Sequence, residues 1–172
     1  MNLKRQINDI PDFPKQGILF RDIAPILANP EAMNEVLEQL AKVAKEVGAK
    51  KIAAFESRGF VFGAPLAAML GLPFIMLRKK GKLPGRTVSA SYKLEYGEAV
   101  LEMQEGVITP GERVLLVDDL LATGGTSKAG MILIEKVGGV VAGLAYVIEL
   151  AGLSGRKVLW GYPVYTLVAY DD

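Results

Sequence analysis

Val114-Leu115-Leu116-Val117-Asp118-Asp119-Leu120-Leu121-Ala122-Thr123-Gly124-Gly125-Thr126-Ser127 is the stretch that decides how this chain is read. Pro110-Gly111 breaks the chain shortly before it, and the four apolar residues predict a buried strand over 113–117. That strand ends in two adjacent carboxylates, Asp118 and Asp119. A small loop with two glycines follows and opens a helix over 126–137. In this order the loop N–H groups and the positive end of the helix dipole converge on one spot, an anion site suited to a phosphate monoester. Thr123, Thr126 and Ser127 add hydroxyl donors, and Gly124 and Gly125 let the backbone approach a ligand closely. Carboxylates beside a phosphate repel it unless they have other partners. Vicinal sugar hydroxyls are such partners, directly or through Mg²⁺. The stretch therefore reads as a site for a sugar 5-phosphate. The plainer alternative is a helix after a strand, with Asp118 and Asp119 only as caps.

Strands and helices alternate outward from this stretch. Asn29 caps and Pro30 opens a helix whose apolar stripe is Met33, Val36, Leu37, Leu40, Val43, Ala44 and Val47, with Gly48 as its stop. A strand over 51–55, a helix over 60–70 ended by Gly71 and a buried strand over 73–77 follow. A loop over 78–87 comes next, then a hairpin over 89–95 and 98–103 turning at Tyr96-Gly97. Further strands are expected over 140–148 and 164–169. The segment over 10–17 reads as irregular, because Pro11 and Pro14 deny a helix and a central strand. The alternation predicts an α/β fold: one domain over 1–172 with a doubly wound, mainly parallel sheet and flanking helices. Such sheets bind ligands at the carboxyl ends of their strands.

The chain has 172 residues, 20 basic against 19 acidic for a net charge of +1, and neither histidine nor cysteine. The double absence excludes Ser-His-Asp triads, thiol nucleophiles, disulfides and zinc sites built on Cys or His. The near-neutral balance argues against a nucleic-acid coat, and no nucleic-acid or membrane partner is expected. The most apolar stretch, over 137–153, is interrupted by Gly138, Gly139 and Glu149, and no leader follows Met1. A cytoplasmic protein is the expectation.

Three further patterns fall at the ends of predicted elements. Arg78, Lys79, Lys80, Lys82 and Arg86 lie within one short span without an acid, a density that favours an anionic partner such as pyrophosphate. The run over 81–87 lacks the spacing of a P-loop. Glu56-Ser57-Arg58-Gly59 joins a strand to a helix and offers N–H groups and one Arg to an anion, or only a cap at Ser57. Glu95-Tyr96-Gly97 by itself is turn chemistry.

The stretch 117–126 resembles the phosphoribosyl-pyrophosphate (PRPP) motif of the type I phosphoribosyltransferases. The likeness runs nearly end to end, through Phe13-Pro14-Lys15-Gln16-Gly17-Ile18-Leu19-Phe20-Arg21-Asp22-Ile23, the segments 56–60 and 78–85, and Tyr92-Lys93-Leu94-Glu95-Tyr96-Gly97. The first and last of these point to the members that act on adenine. The resemblance implies that adenine and PRPP give AMP and pyrophosphate, with Mg²⁺ held mainly by PRPP and water, in a homodimer. It implies that Ala122, Thr123, Gly124, Gly125, Thr126 and Ser127 hold the 5-phosphate. Asp118 and Asp119 would bind the ribose hydroxyls and favour positive charge at the anomeric carbon. Ser57, Arg58, Arg78, Lys79 and Lys82 would hold pyrophosphate, with Arg78 or Lys79 as the alternative reach into a neighbouring subunit. The hairpin becomes a lid, with Glu95 handling purine protons and Tyr96 covering PRPP. The N-terminal segment becomes the base site: Phe20 stacks on adenine, the Leu19 backbone reads its edge, and Arg21 lies alongside. The 56–59 loop holds a non-proline cis peptide in many family members. Glu56 stands where some members carry Asp, and Lys80 has no assigned role. Leu19-Phe20-Arg21 argues against other purine or pyrimidine substrates. The length and charge leave no room for an added nucleic-acid-binding domain, and an intact Glu95 and basic loop argue against a non-catalytic module.

Overall fold

The computed structural model describes residues 1–94 and 97–172. Its elements in chain order are β1 (Asn8–Pro11), β2 (Leu19–Asp22), α1 (Ala24–Ala28), α2 (Pro30–Glu46), β3 (Lys51–Phe55), α3 (Phe60–Leu70) and β4 (Phe74–Lys79). The chain continues through β5 (Thr87–Leu94), β6 (Gly97–Gln104), β7 (Arg113–Leu121), α4 (Gly125–Lys136), β8 (Val140–Leu150), α5 (Gly155–Val158) and β9 (Val164–Tyr170). The main sheet has the order β5-β6-β4-β3-β7-β8-β9. β4, β3, β7, β8 and β9 are parallel, while β6 joins β4 antiparallel and carries the β5–β6 hairpin at the sheet edge.

Side-chain alternation divides the core between the two faces of this sheet. Ile52, Ala54, Leu115 and Val117 face α1, α2 and α3, against Ile26, Leu40, Phe62 and Leu66. Ala53, Phe55, Val114 and Leu116 face α4, against Ala129, Met131, Leu133 and Ile134. Asn29 caps α2 as its sequence indicates, its side chain accepting from the Glu31 and Ala32 N–H groups. The helix after β3 thus lies on one face and the helix after β7 on the other. The neighbouring strands β3 and β7 therefore flank a topological switch point, where doubly wound sheets open a crevice.

The structure departs most from the sequence reading at β7, at β4 and in the N-terminal ribbon. β7 does not end at Val117 but runs through both carboxylates to Leu121, because β8 keeps pairing with it at Asp118↔Tyr146, Leu120↔Ile148 and Leu121↔Glu149. β4 extends through Arg78 and Lys79, which pair with Glu102 and Leu101 of β6, so charge at a strand end does not make it a loop. Its Met76 is exposed, so β4 is half-buried rather than buried. The prolines over 10–17 do not exclude strand: β1 and β2 form a separate two-stranded antiparallel ribbon, with Pro11 at the end of its strand.

Candidate active site

β3 stops its pairing with β7 at Ala54↔Val117, so Asp118 and Asp119 project past the end of β3 into the switch-point crevice. The chain leaving β3 folds over them. A Cβ on Gly59 would lie 2.5 Å from the Phe55 carbonyl oxygen and 2.9 Å from Asp118 Oδ1, so only glycine permits this approach. The Glu56–Ser57 peptide is cis.

Two clefts meet here. One of about 300 Å³ is walled by 55–58, by Asp118, Asp119 and Leu120, by Lys79 from β4, and by Tyr92 and Leu101 from the hairpin. A second of about 90 Å³ is formed by Ala122, Thr123, Gly124, Gly125, Thr126 and Ser127. Asp118, Leu120 and Thr126 line both, so the two are continuous. The small one lies at the N-terminus of α4, with Gly124 in the left-handed region at φ 89°. Tyr92 approaches from the hairpin: a Cβ on Gly125 would lie 3.7 Å from its ring.

The charged groups are largely matched to each other. Arg58 forms an ion pair with Asp119, Nε to Oδ2 at 2.8 Å, and its guanidinium lies 4.9 Å from the Phe20 ring centroid. Phe13 packs edge-on against that ring. Glu56 receives the Lys79 N–H on one oxygen, and Arg78 Nε and Nη2, each at 3.1 Å, on the other. Burial alone would push Glu56 up, but the Lys79 N–H, the Arg78 hydrogen bond and the charges of Arg78 and Lys79 together hold its pKa below the usual value. Asp118 goes the other way. Part of it reaches the cleft surface, yet protein surrounds it closely. Loss of water first, and the Asp119 carboxylate second, push it well above the ordinary range. Its Oδ1 accepts the Asp119 N–H at 2.8 Å.

This combination is a small pocket at the N-terminus of α4, continuous with a larger cleft that carries three carboxylates, one arginine and a lysine. A phosphoribosyl transferase domain profile matches residues 23–166. The chain belongs to the phosphoribosyltransferase family. The adenine phosphoribosyltransferase of Carboxydothermus hydrogenoformans is 52% identical over 170 residues, covering 99% of this chain and all of that one. The structure of the adenine phosphoribosyltransferase from Thermoanaerobacter pseudethanolicus superposes with a TM-score of 0.94 at 48% identity, covering 98% of each chain. That from Saccharomyces cerevisiae, complexed with an imino-altritol bisphosphate and adenine, has a TM-score of 0.89 at 40% identity, covering 96% of each.

In this phosphoribosyltransferase the structure gathers Ser57, Arg58, Lys79, Asp118, Asp119 and residues 122–127 around the two clefts. Three side chains depart from the sequence reading. Arg78 is outside the cleft wall, because Glu56 and the Lys82 carbonyl engage its guanidinium. Lys82 is exposed beyond that wall. Arg21 does not lie alongside the Phe20 ring: alternation along β2 sends it to the opposite face. There it is buried against Asp9, Asp172 and the Tyr170 ring. Leu19 is exposed at the start of β2. Glu95 and Tyr96 lie outside the described residues. Sequence reasoning missed Tyr92 and Leu101, which hairpin alternation could have put on the cleft side. It also missed Tyr146, whose buried hydroxyl meets Ser127 Oγ at 2.5 Å beneath the 122–127 loop. Burial pushes the Tyr146 phenol upward, so it stays protonated. No local motif marks it.

Proposed function

We propose that this chain is a purine-salvage enzyme that transfers the 5-phosphoribosyl group from PRPP to adenine, giving AMP and pyrophosphate. The observation that carries this reading is the continuity of the two clefts through Asp118, Leu120 and Thr126. It matches a ligand with a phosphate monoester at one end, a diol in the middle and a polyanion at the other end. Ala122, Thr123, Gly124, Gly125, Thr126 and Ser127 hold the 5-phosphate on N–H groups and hydroxyls. Asp118 and Asp119 accept from the ribose hydroxyls and favour positive charge developing at the anomeric carbon. Ser57, Arg58 and Lys79 meet the pyrophosphate, which leaves as the C–O bond breaks. Adenine nitrogen then forms the new C–N bond, and its proton passes to Glu95. Pyrophosphate is a good leaving group, so positioning and electrostatics supply most of the catalysis.

Of the carboxylates that line the larger cleft, Glu56 is engaged by Arg78 and Asp119 by Arg58. That donor set fits Mg²⁺ entering with PRPP and taking most of its ligands from pyrophosphate oxygens and water. When bound, the ion neutralises charge on the leaving group. The reading includes a cytoplasmic homodimer. Exposed Val61 and Met69 on α3 and Met76 on β4 support an apolar contact, and no helix among the described residues is long and apolar enough to cross a membrane.

The test is nucleotide formation from PRPP and Mg²⁺ with adenine, hypoxanthine, guanine and orotate in separate reactions. Turnover with adenine alone, or fastest with it, is expected. No turnover with adenine, or faster turnover with a 6-oxo purine, refutes the assignment.

A further inference from the structure

We propose that the chain following β8 is a buttress that sets the shape of the phosphate loop, with Gly155 seated against that loop and the Glu149–Arg156 ion pair holding it there. The inference rests on the reading of 122–127 as the 5-phosphate site. It adds positioning residues from a segment that contributes no group to either cleft.

β7 and β8 stay paired up to Leu121↔Glu149, so Glu149 lies level with the last residue before the loop. The chain then turns through Ala151–Leu153 and passes Ser154, which takes the left-handed conformation at φ 57°. That conformation costs a non-glycine residue roughly 1 kcal/mol, and here it delivers Gly155 to the back of the loop. A Cβ on Gly155 would lie 2.4 Å from the Ala122 carbonyl oxygen, and one on Gly124 would lie 2.9 Å from the Gly155 carbonyl oxygen. Two backbones touch at this point, and neither has room for a side chain.

The neighbouring residue fixes the contact. Arg156 Nε donates to Glu149 Oε1 and Oε2 at 2.9 and 3.1 Å, its Nη1 to the Val164 carbonyl at 3.0 Å, and its Nη2 to Thr166 Oγ1 at 3.1 Å. The Thr166 hydroxyl donates to Glu149 Oε2 at 2.9 Å, closing the circuit between β8, β9 and α5. Glu149 is a nearly buried carboxylate that the transfer reaction does not use. Its partners tie the buttress to the sheet that carries the loop. Phosphate affinity from N–H groups depends on their converging within a few tenths of an ångström, so a supporting surface with no slack has a direct effect on it.

The experiment compares wild type with Gly155→Ala and Arg156→Lys, the second retaining charge while losing the planar fork. Ribose 5-phosphate, which carries the monoester without pyrophosphate, is titrated calorimetrically, and KM is measured separately for PRPP and adenine. Gly155→Ala is expected to weaken ribose 5-phosphate and raise KM for PRPP about tenfold, with kcat and KM for adenine nearly unchanged. Arg156→Lys should do the same about threefold. A purely structural segment would lower thermal stability without separating the two KM values. Arg156 is a surface side chain, so its variant gives the answer even where Gly155→Ala does not fold. A folded variant that holds ribose 5-phosphate as tightly as wild type overturns the buttress. Wild type that does not bind ribose 5-phosphate overturns the reading of the loop instead.

Discussion

Replacing Glu56 by Gln tests whether Arg78 acts on pyrophosphate or on the loop that holds it. Both oxygens of Glu56 are occupied, one by the Lys79 N–H and the other by Arg78. The paired side chains are 14% and 31% exposed. An exposed ion pair contributes about 0–1 kcal/mol and breaking a buried one costs about 3–5, so this intermediate pair is set at roughly 2 kcal/mol. The Gln amide keeps one acceptor but turns N–H groups toward Arg78, which leaves donors facing donors. For a chain of this length the melting temperature should fall by about 4–8 °C. The pH dependence has a definite sign. Glu56 is held below its ordinary value of 4.5 in the folded state, so its contribution is fully present above that value. It is lost as pH falls through the lower, folded value. The gap between wild type and variant should stay constant from about pH 8 to about pH 5.5 and shrink below 4.5. The assay is urea denaturation across that range for Glu56→Gln, Arg78→Gln and the double variant, alongside KM for PRPP. If Arg78 works through Glu56, each single change raises KM several-fold and the double change is little worse than either. Additive losses, or an Arg78→Gln defect in KM far larger than that of Glu56→Gln, would show that Arg78 touches pyrophosphate itself.

Asp118→Asn should raise thermal stability at neutral pH, because a carboxylate whose folded pKa is raised penalises the fold above its ordinary value of 3.8. The gain should vanish in acid, and turnover should fall on the order of 10²-fold; melting curves at both pH extremes and single-turnover rates check it. Arg21→Met removes a buried guanidinium from Asp9, Asp172 and Tyr170, and should cost about 2–3 kcal/mol while raising KM for adenine more than KM for PRPP. Equal changes in both KM values would mean that the N-terminal ribbon does not carry the base site.

The parallel sheet was legible because its signals are local. Lys51–Phe55 and Phe60–Leu70 fall where apolar runs and glycine stops put them. The pocket-forming loop over 122–127 was legible for the same reason, since strand, acid pair and Gly-Gly turn are contiguous. What escaped was set by partners distant in sequence. β7 runs on to Leu121 only because β8 pairs with it that far. The ribbon of Asn8–Pro11 with Leu19–Asp22 is stabilised by strand pairing and by Arg21 reaching Asp172, neither of which a window around Pro11 contains. Arg78 read as a ligand because a cluster of cations suggests an anion. Its partner Glu56 lies one βαβ crossover earlier in the chain.

The same pairing explains how a cleft walled by Glu56, Asp118 and Asp119 can suit a polyanion. Arg78 answers Glu56, Arg58 answers Asp119, and the surroundings of Asp118 favour its neutral form. Lys79 remains, lining the cleft without an ion-pair partner among the described residues. The local balance therefore tilts positive where an overall charge of +1 gives no hint of it. A chain with no histidine and no cysteine needs that tilt more than most. With no imidazole to protonate the leaving group and no thiol to form a covalent intermediate, the reading has pyrophosphate depart as the stable anion it already is. Fixed cations and helix N–H groups then have to meet its charge as it develops.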